Sequence, residues 1–139
     1  MKKTPAPIKV NLVAGFLGSG KTTLLRHFLS HAGGERAGVL VNEVGDASLD
    51  PALVRSAKAE VLEFAQGCLC CQNPNELVLA LKTLARRCPD RILIESTGIA
   101  EPARILKTLA EAPSLKGVIS LEPTVVVVDA AGFFSLFQT

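Results

Sequence analysis

No apolar stretch in the sequence approaches the roughly 18 residues that a membrane-spanning helix needs, so a soluble protein is expected. No run of like charge is present either. The 15 basic and 13 acidic residues are scattered, the formal net charge is +2, and no basic stripe exists to follow a nucleic acid backbone. Cysteine is scarce. Three of the four thiols, Cys68, Cys70 and Cys71, fall within four positions, a spacing ill suited to a disulfide framework. Such a cluster points to a reducing cytoplasm and to metal or redox chemistry. A secretory signal is lacking as well: Met1-Lys2-Lys3 and the apolar segment Val10 to Leu17 imitate one, but Lys9 and Asn11 interrupt it and no small-residue cleavage site follows. There is no internal repeat or low-complexity tract.

What is present fits a single globular domain, since 139 residues at 48% hydrophobic content can bury one core. Ile8 to Ala14 alternates as a strand, and Lys21 to about His31 reads as a helix with Leu24, Leu25, Phe28 and Leu29 on its apolar face. Val39 to Val41 is expected as a buried strand and Glu60 to Phe64 as a short one. The stretch from Asn42 to about Ala59, with Gly45, Asp46, Asp50 and Pro51, reads as a long connection. Asn73-Pro74-Asn75-Glu76 combines a capping asparagine, a proline at the first helical position and a glutamate three residues after the cap, and it starts a helix carrying Leu77, Ala80, Leu81, Leu84 and Ala85. Arg91 to Glu95 follows as a strand, Pro102 to Glu111 as a helix and Thr124 to Asp129 as a fully apolar strand. Strands alternating with helices imply a parallel sheet covered on both faces, with ligands at the carboxyl ends of the strands.

Gly15-Phe16-Leu17-Gly18-Ser19-Gly20-Lys21-Thr22 satisfies the phosphate-loop pattern in full and lies between a predicted strand and a predicted helix, where the mechanism requires it. Glycines at 15, 18 and 20 let the backbone curl so that successive N–H groups and the positive helix end face a phosphate. Lys21 is then expected at the β- and γ-phosphates and the Thr22 hydroxyl on Mg²⁺. Ile92-Leu93-Ile94-Glu95 is an apolar strand ending in a carboxylate, as expected of an acid that holds Mg²⁺ through water, and Gly98 just after it can offer a backbone N–H to the γ-phosphate.

Thiolates suit Zn²⁺ and other borderline ions. Joint ligation by Cys68, Cys70 and Cys71 requires a turn after Cys70, because in an extended chain the third side chain points away. A tetrahedral site needs a fourth ligand: water, a partner's side chain or a carboxylate such as Glu43. The competing reading is three small buried hydrophobes or redox thiols. Cys88 has no neighbour of its kind and is expected to be buried. His27 and His31 lie one helical turn apart and are expected at the surface of the first helix.

Together, Gly15 to Leu25, Asn42-Glu43-Val44-Gly45-Asp46, Gly67-Cys68-Leu69-Cys70-Cys71 and Glu95 to Pro102 resemble the CobW-type P-loop GTPases, metallochaperone-like relatives of HypB and UreG. The resemblance implies a three-layer P-loop NTPase fold with a mostly parallel sheet, spanning residues 1–139 and truncated at the carboxyl end. It also implies binding and hydrolysis of GTP with Mg²⁺, delivery of Zn²⁺ or Co²⁺, and a metalloprotein client. By position, Lys21 and Glu95 become catalytic; Gly15 through Thr23 together with Gly98 become nucleotide-binding; Cys68, Cys70, Cys71, Glu43 and Asp46 become transition-metal ligands. Family members usually carry phenylalanine where Val44 stands and glutamate where Asp46 stands. No Asn-Lys-x-Asp guanine-reading motif is present, and Phe133, Phe134, Leu136 and Phe137 are expected to be exposed. Two rival readings stand beside this one: a module that binds metal and phosphate without turnover, and an unrelated P-loop ATPase or kinase.

Overall fold

The computed structural model describes residues 6–41, 49–63, 73–98 and 100–137. Its strands are β1 (Ile8–Gly15), β2 (Ala37–Val41), β3 (Glu60–Glu63), β4 (Arg91–Glu95), β5 (Ile119–Leu121) and β6 (Val125–Val127). The helices are α1 (Lys21–Ser30), α2 (Pro51–Ser56), α3 (Pro74–Ala85), α4 (Pro102–Glu111) and α5 (Ala130–Phe137), with a 3₁₀ turn at Pro113–Leu115. All strand pairs are parallel, in the order β3-β2-β4-β1-β5. This is the α/β architecture expected of βαβ units.

Alternation within the central strands sends side chains to both sheet faces, and each face is covered. Val10, Leu12, Leu40, Ile92 and Ile94 pack with Leu77, Leu81 and Leu84 of α3 and with Ile105 and Leu109 of α4. On the opposite face Val13, Val39, Val41 and Leu93 pack with Leu25 and Leu29 of α1, with Leu53 of α2 against them. Leu81 has no exposed surface. Leu81→Ala should therefore lower unfolding stability by about 3 kcal/mol, the lost transfer energy plus the residual cavity. Urea unfolding measures this, and a loss below about 1 kcal/mol would mean the site is not close-packed.

Three expectations need correction. The connection from Asn42 to Ala59 contains a helix: the Asp50 side chain accepts a hydrogen bond from the Ala52 amide at 2.8 Å, and Pro51 stands in its first turn. The strand placed at Thr124 to Asp129 is the second half of an interrupted one. β1 pairs β5 along Ile8–Val10 and β6 along Val13–Gly15. Pro123, between them, has no N–H to give the ladder. The break is bridged by Glu122 N to Val10 O at 2.8 Å and by the Asn11 side-chain amide to Pro123 O at 3.0 Å. β6 is also less buried than a fully apolar strand suggests, with Val126 at 61% exposure.

Finally, Cys88 is exposed rather than buried, because the chain turns there with φ 52° and Pro89 takes the inward position. The turn leads to Asp90, whose carboxylate accepts from the Arg36 amide at 2.9 Å, a hydrogen bond that holds its pKa below the ordinary value. Phe133 and Phe134 are exposed as expected, with their rings edge to face; the side chains of Leu136 and Phe137 lie outside the described residues.

Candidate functional site

β1 ends at Gly15 and α1 begins at Lys21, so the glycine-rich segment spans the carboxyl edge of the sheet. Its curvature depends on backbone that L side chains resist: Gly15, Gly18 and Gly20 have φ of 145°, 75° and 102°. Gly20 is the N-cap of α1 and no side chain caps the helix, which leaves its first amides directed into the loop. The Phe16 carbonyl closes the turn, accepting from Ser19 N at 3.1 Å and from Lys21 Nζ at 3.0 Å. The ammonium is thus folded back into the loop, and Lys21 is only 4% exposed.

Two further elements hold the loop from behind. A Cβ on Gly15 would stand 2.3 Å from the Val127 carbonyl oxygen of β6. A Cβ on Gly98, just beyond β4, would stand 2.4 Å from the Leu17 amide nitrogen. Only glycine permits either approach.

β4 delivers Glu95 to the same place, since its register with β1 sets Glu95 opposite Val13. The Thr22 hydroxyl donates to Glu95 Oε1 at 2.6 Å. Ser96 locks this end of β4, its N–H and hydroxyl both donating to Val13 O, at 3.0 and 3.2 Å. Residues 73 positions apart in sequence, one hydroxyl and one carboxylate, therefore meet beside a buried lysine. Ser19 Oγ is buried and has no hydrogen-bond partner among the described residues. A buried hydroxyl left so costs about 1–3 kcal/mol, which marks it as an atom placed for a ligand.

Of the residues expected at the site, the structure brings together Gly15, Phe16, Leu17, Gly18, Ser19, Gly20, Lys21, Thr22, Glu95 and Gly98. Thr23 follows on α1 and is exposed. Cys68, Cys70, Cys71, Glu43 and Asp46 lie outside the described residues. Among the described residues no three His, Cys, Asp or Glu side chains gather as a metal site. No described helix is long and apolar enough to cross a membrane. Sequence reasoning misses Ser96 and the two backbone carbonyls of Phe16 and Val127. A serine after a strand-ending acid is a weak signal, and carbonyl contacts leave none.

Residues 9–138 match the family of the CobW/HypB/UreG nucleotide-binding domain. The zinc chaperone YeiR of Escherichia coli (strain K12) is 43% identical over 123 residues, covering 87% of this chain and 37% of that protein. The zinc chaperone YjiA of the same organism is 37% identical over 145 residues, covering 96% of this chain and 46% of YjiA. The zinc-regulated GTPase metalloprotein activator 1 of Schizosaccharomyces pombe is 37% identical over 140 residues, covering 95% of this chain and 34% of that protein. Among solved structures, the Zn(II)-bound YjiA GTPase from E. coli superposes with a TM-score of 0.69 at 29% identity, over 96% of this chain and 44% of YjiA. The hydrogenase maturation factor HypB from Archaeoglobus fulgidus shares the fold, with a TM-score of 0.55 at 22% identity over 88% of this chain and 53% of HypB. The chain spans less than half the length of these curated relatives. With its phosphate-type loop, strand-end acid and parallel sheet, the chain belongs to the CobW/HypB/UreG nucleotide-binding domain family.

Proposed function

We propose that this chain is the nucleotide-binding part of a GTPase that couples guanine nucleotide state to the handling of zinc, with cobalt as the alternative metal. The carrying observation is the convergence of buried Lys21, the orphaned Ser19 Oγ and the Thr22–Glu95 hydrogen bond on one glycine-lined loop. Loop amides and the Lys21 ammonium supply the positive field that a triphosphate needs. A phosphate oxygen is a stronger acceptor for that ammonium than the neutral Phe16 carbonyl that holds it now.

The donor set also fits Mg²⁺, because a hydroxyl and a carboxylate are hard oxygen ligands lying side by side. Thr22 would bind the ion directly and Glu95 through water. Held by these two side chains, Mg²⁺ would supply neutralisation of the negative charge on the phosphates. Gly98 sits against the loop at Leu17, and its backbone N–H is the one we assign to the γ-phosphate.

The zinc half of the reading rests on Cys68, Cys70 and Cys71, with Glu43 and Asp46 as further ligands, and on the zinc chaperone and zinc-regulated GTPase relatives. Three clustered thiolates need a reducing compartment, which favours the cytoplasm. A site short of a fourth sulfur releases its ion more readily than a closed Cys₄ site, which suits transfer to a metalloprotein client.

The test is a Zn²⁺ titration with Mg²⁺ and either GTP or GDP present, together with phosphate release. Zinc affinity should differ between the two nucleotides and drop at least tenfold with Cys68→Ser, Cys70→Ser and Cys71→Ser combined. Affinity indifferent to both would reject the coupling. Zinc binding without phosphate release would leave a binding module, and ATP bound as tightly as GTP with no zinc uptake would leave an unrelated ATPase.

A further inference from the structure

The far end of α1 carries a feature that phosphate binding does not use. His27 and His31 are exposed and one turn apart, and their rings lie with centroids 4.2 Å apart and planes 33° tilted. Two imidazoles that bind one tetrahedral ion, with metal–nitrogen bonds of about 2.1 Å, hold their centroids roughly 5.3 Å apart. Two exposed rings on one helix face need to part by only about 1 Å to reach that spacing.

The protonation pattern fits as well. His31 Nδ1 lies 2.9 Å from the His27 carbonyl oxygen, which can only accept, so Nδ1 carries the proton and donates. Ser30 Oγ donates to the same carbonyl at 2.9 Å and lies 3.0 Å from Nδ1, which steadies the ring. In the neutral ring this tautomer leaves Nε2 unprotonated, the arrangement typical of a metal-ligating histidine whose other nitrogen is held by a backbone carbonyl. The His27 ring nitrogens hydrogen-bond to no described residue. Both rings also stand at the carboxyl end of α1, where the helix dipole favours a cation.

We infer that His27 and His31 form a surface site for a borderline divalent transition ion, separate from Cys68, Cys70 and Cys71. Imidazole nitrogens select zinc, nickel and copper over magnesium and calcium. With only two protein ligands, the remaining coordination positions belong to water or to a ligand from outside, so the ion exchanges freely. The site is one of capture rather than storage.

The test uses the chain with Cys68→Ser, Cys70→Ser and Cys71→Ser, titrated with zinc chloride while the imidazole ring protons are followed by NMR. The sequence has only two histidines, so the signals are unambiguous. Both rings should shift together and saturate at one Zn²⁺ per chain. His27→Ala and His31→Ala should each lower affinity tenfold or more, as far as the double replacement does. Rings that titrate at different zinc concentrations, or a smaller loss on single replacement, would overturn the site. Should the serine variant fail to fold, the unchanged chain is titrated past the equivalent that the cysteines take up: both rings should then shift together, His27→Ala should weaken the His31 response tenfold or more, and rings that respond independently would overturn the site.

Discussion

With Lys21 replaced by alanine, the chain should keep its secondary structure and lose more than a hundredfold of its affinity for Mg²⁺-GTP. The lysine is almost fully buried and reaches into the loop, held by one hydrogen bond to the Phe16 carbonyl. That bond orients the ammonium, and replacing the whole side chain removes the buried charge together with its partner's donor, so no unpaired cation is left behind in the loop. Against a triphosphate the same ammonium faces formal negative charge in a site sheltered from solvent, where removing one partner of such a pair costs about 2–5 kcal/mol. At about 1.4 kcal/mol per tenfold, the middle of that range exceeds a factor of a hundred. Calorimetry on folded protein, with circular dichroism as the check, measures the loss. A change under about tenfold would mean that the nucleotide does not seat against this lysine. Lys21→Arg should not restore binding, because the bulkier planar guanidinium cannot take the buried path of the stem.

Gly15→Ala should be the more damaging change to the fold. Gly15 has φ 145°, outside the range that L side chains adopt at low cost, and forcing it there costs about 1–3 kcal/mol. Space is the second obstacle. The new Cβ would lie 2.3 Å from Val127 O and 2.7 Å from Ser19 Oγ, and Val127 is backbone paired to β1. β6 must move, or the loop must open. A combined loss of about 3 kcal/mol or more is expected in urea unfolding, together with loss of nucleotide binding. Gly18→Ala is the internal control. It has φ 75° but nothing within 4 Å of its Cβ, so it carries the backbone strain without the clash. Equal losses for the two variants would show that the contact with β6 has no energetic weight.

Much of this is legible in the residues. The loop at Gly15 to Thr22 can be placed because apolar alternation before it and helical spacing after it agree. The α3 start can be placed because Asn73 and Pro74 have fixed roles at a helix entrance, and the Asn73 side chain does accept from the Asn75 amide at 3.1 Å. The same asparagine or aspartate followed by proline introduces α2 at Asp50-Pro51, so that helix has a readable start too. It escapes notice because six residues with no buried side chain leave hardly any periodicity to find. Cys88 misleads for another reason. Small apolar character favours burial on average, yet a local turn with positive φ decides which way one side chain points. The division of the last strand follows from Pro123, but only the pairing with β1 reveals that both halves serve one neighbour.

The sequence by itself determined the order of β1, α1, β2, β3, α3, β4 and α4, the phosphate-type loop and the acid at the end of β4, because each is written in contiguous residues whose spacing sets local geometry. Only the tertiary structure decided that Thr22 meets Glu95, that Val127 and Leu17 press on glycines 15 and 98, and that two histidines stack at the carboxyl end of α1. The meeting of Thr22 with Glu95 is fixed by the register of β1 against β4, a long-range pairing that burial of both strand faces selects. The glycine contacts depend on backbone atoms, which are the same in every residue and leave no mark in the sequence.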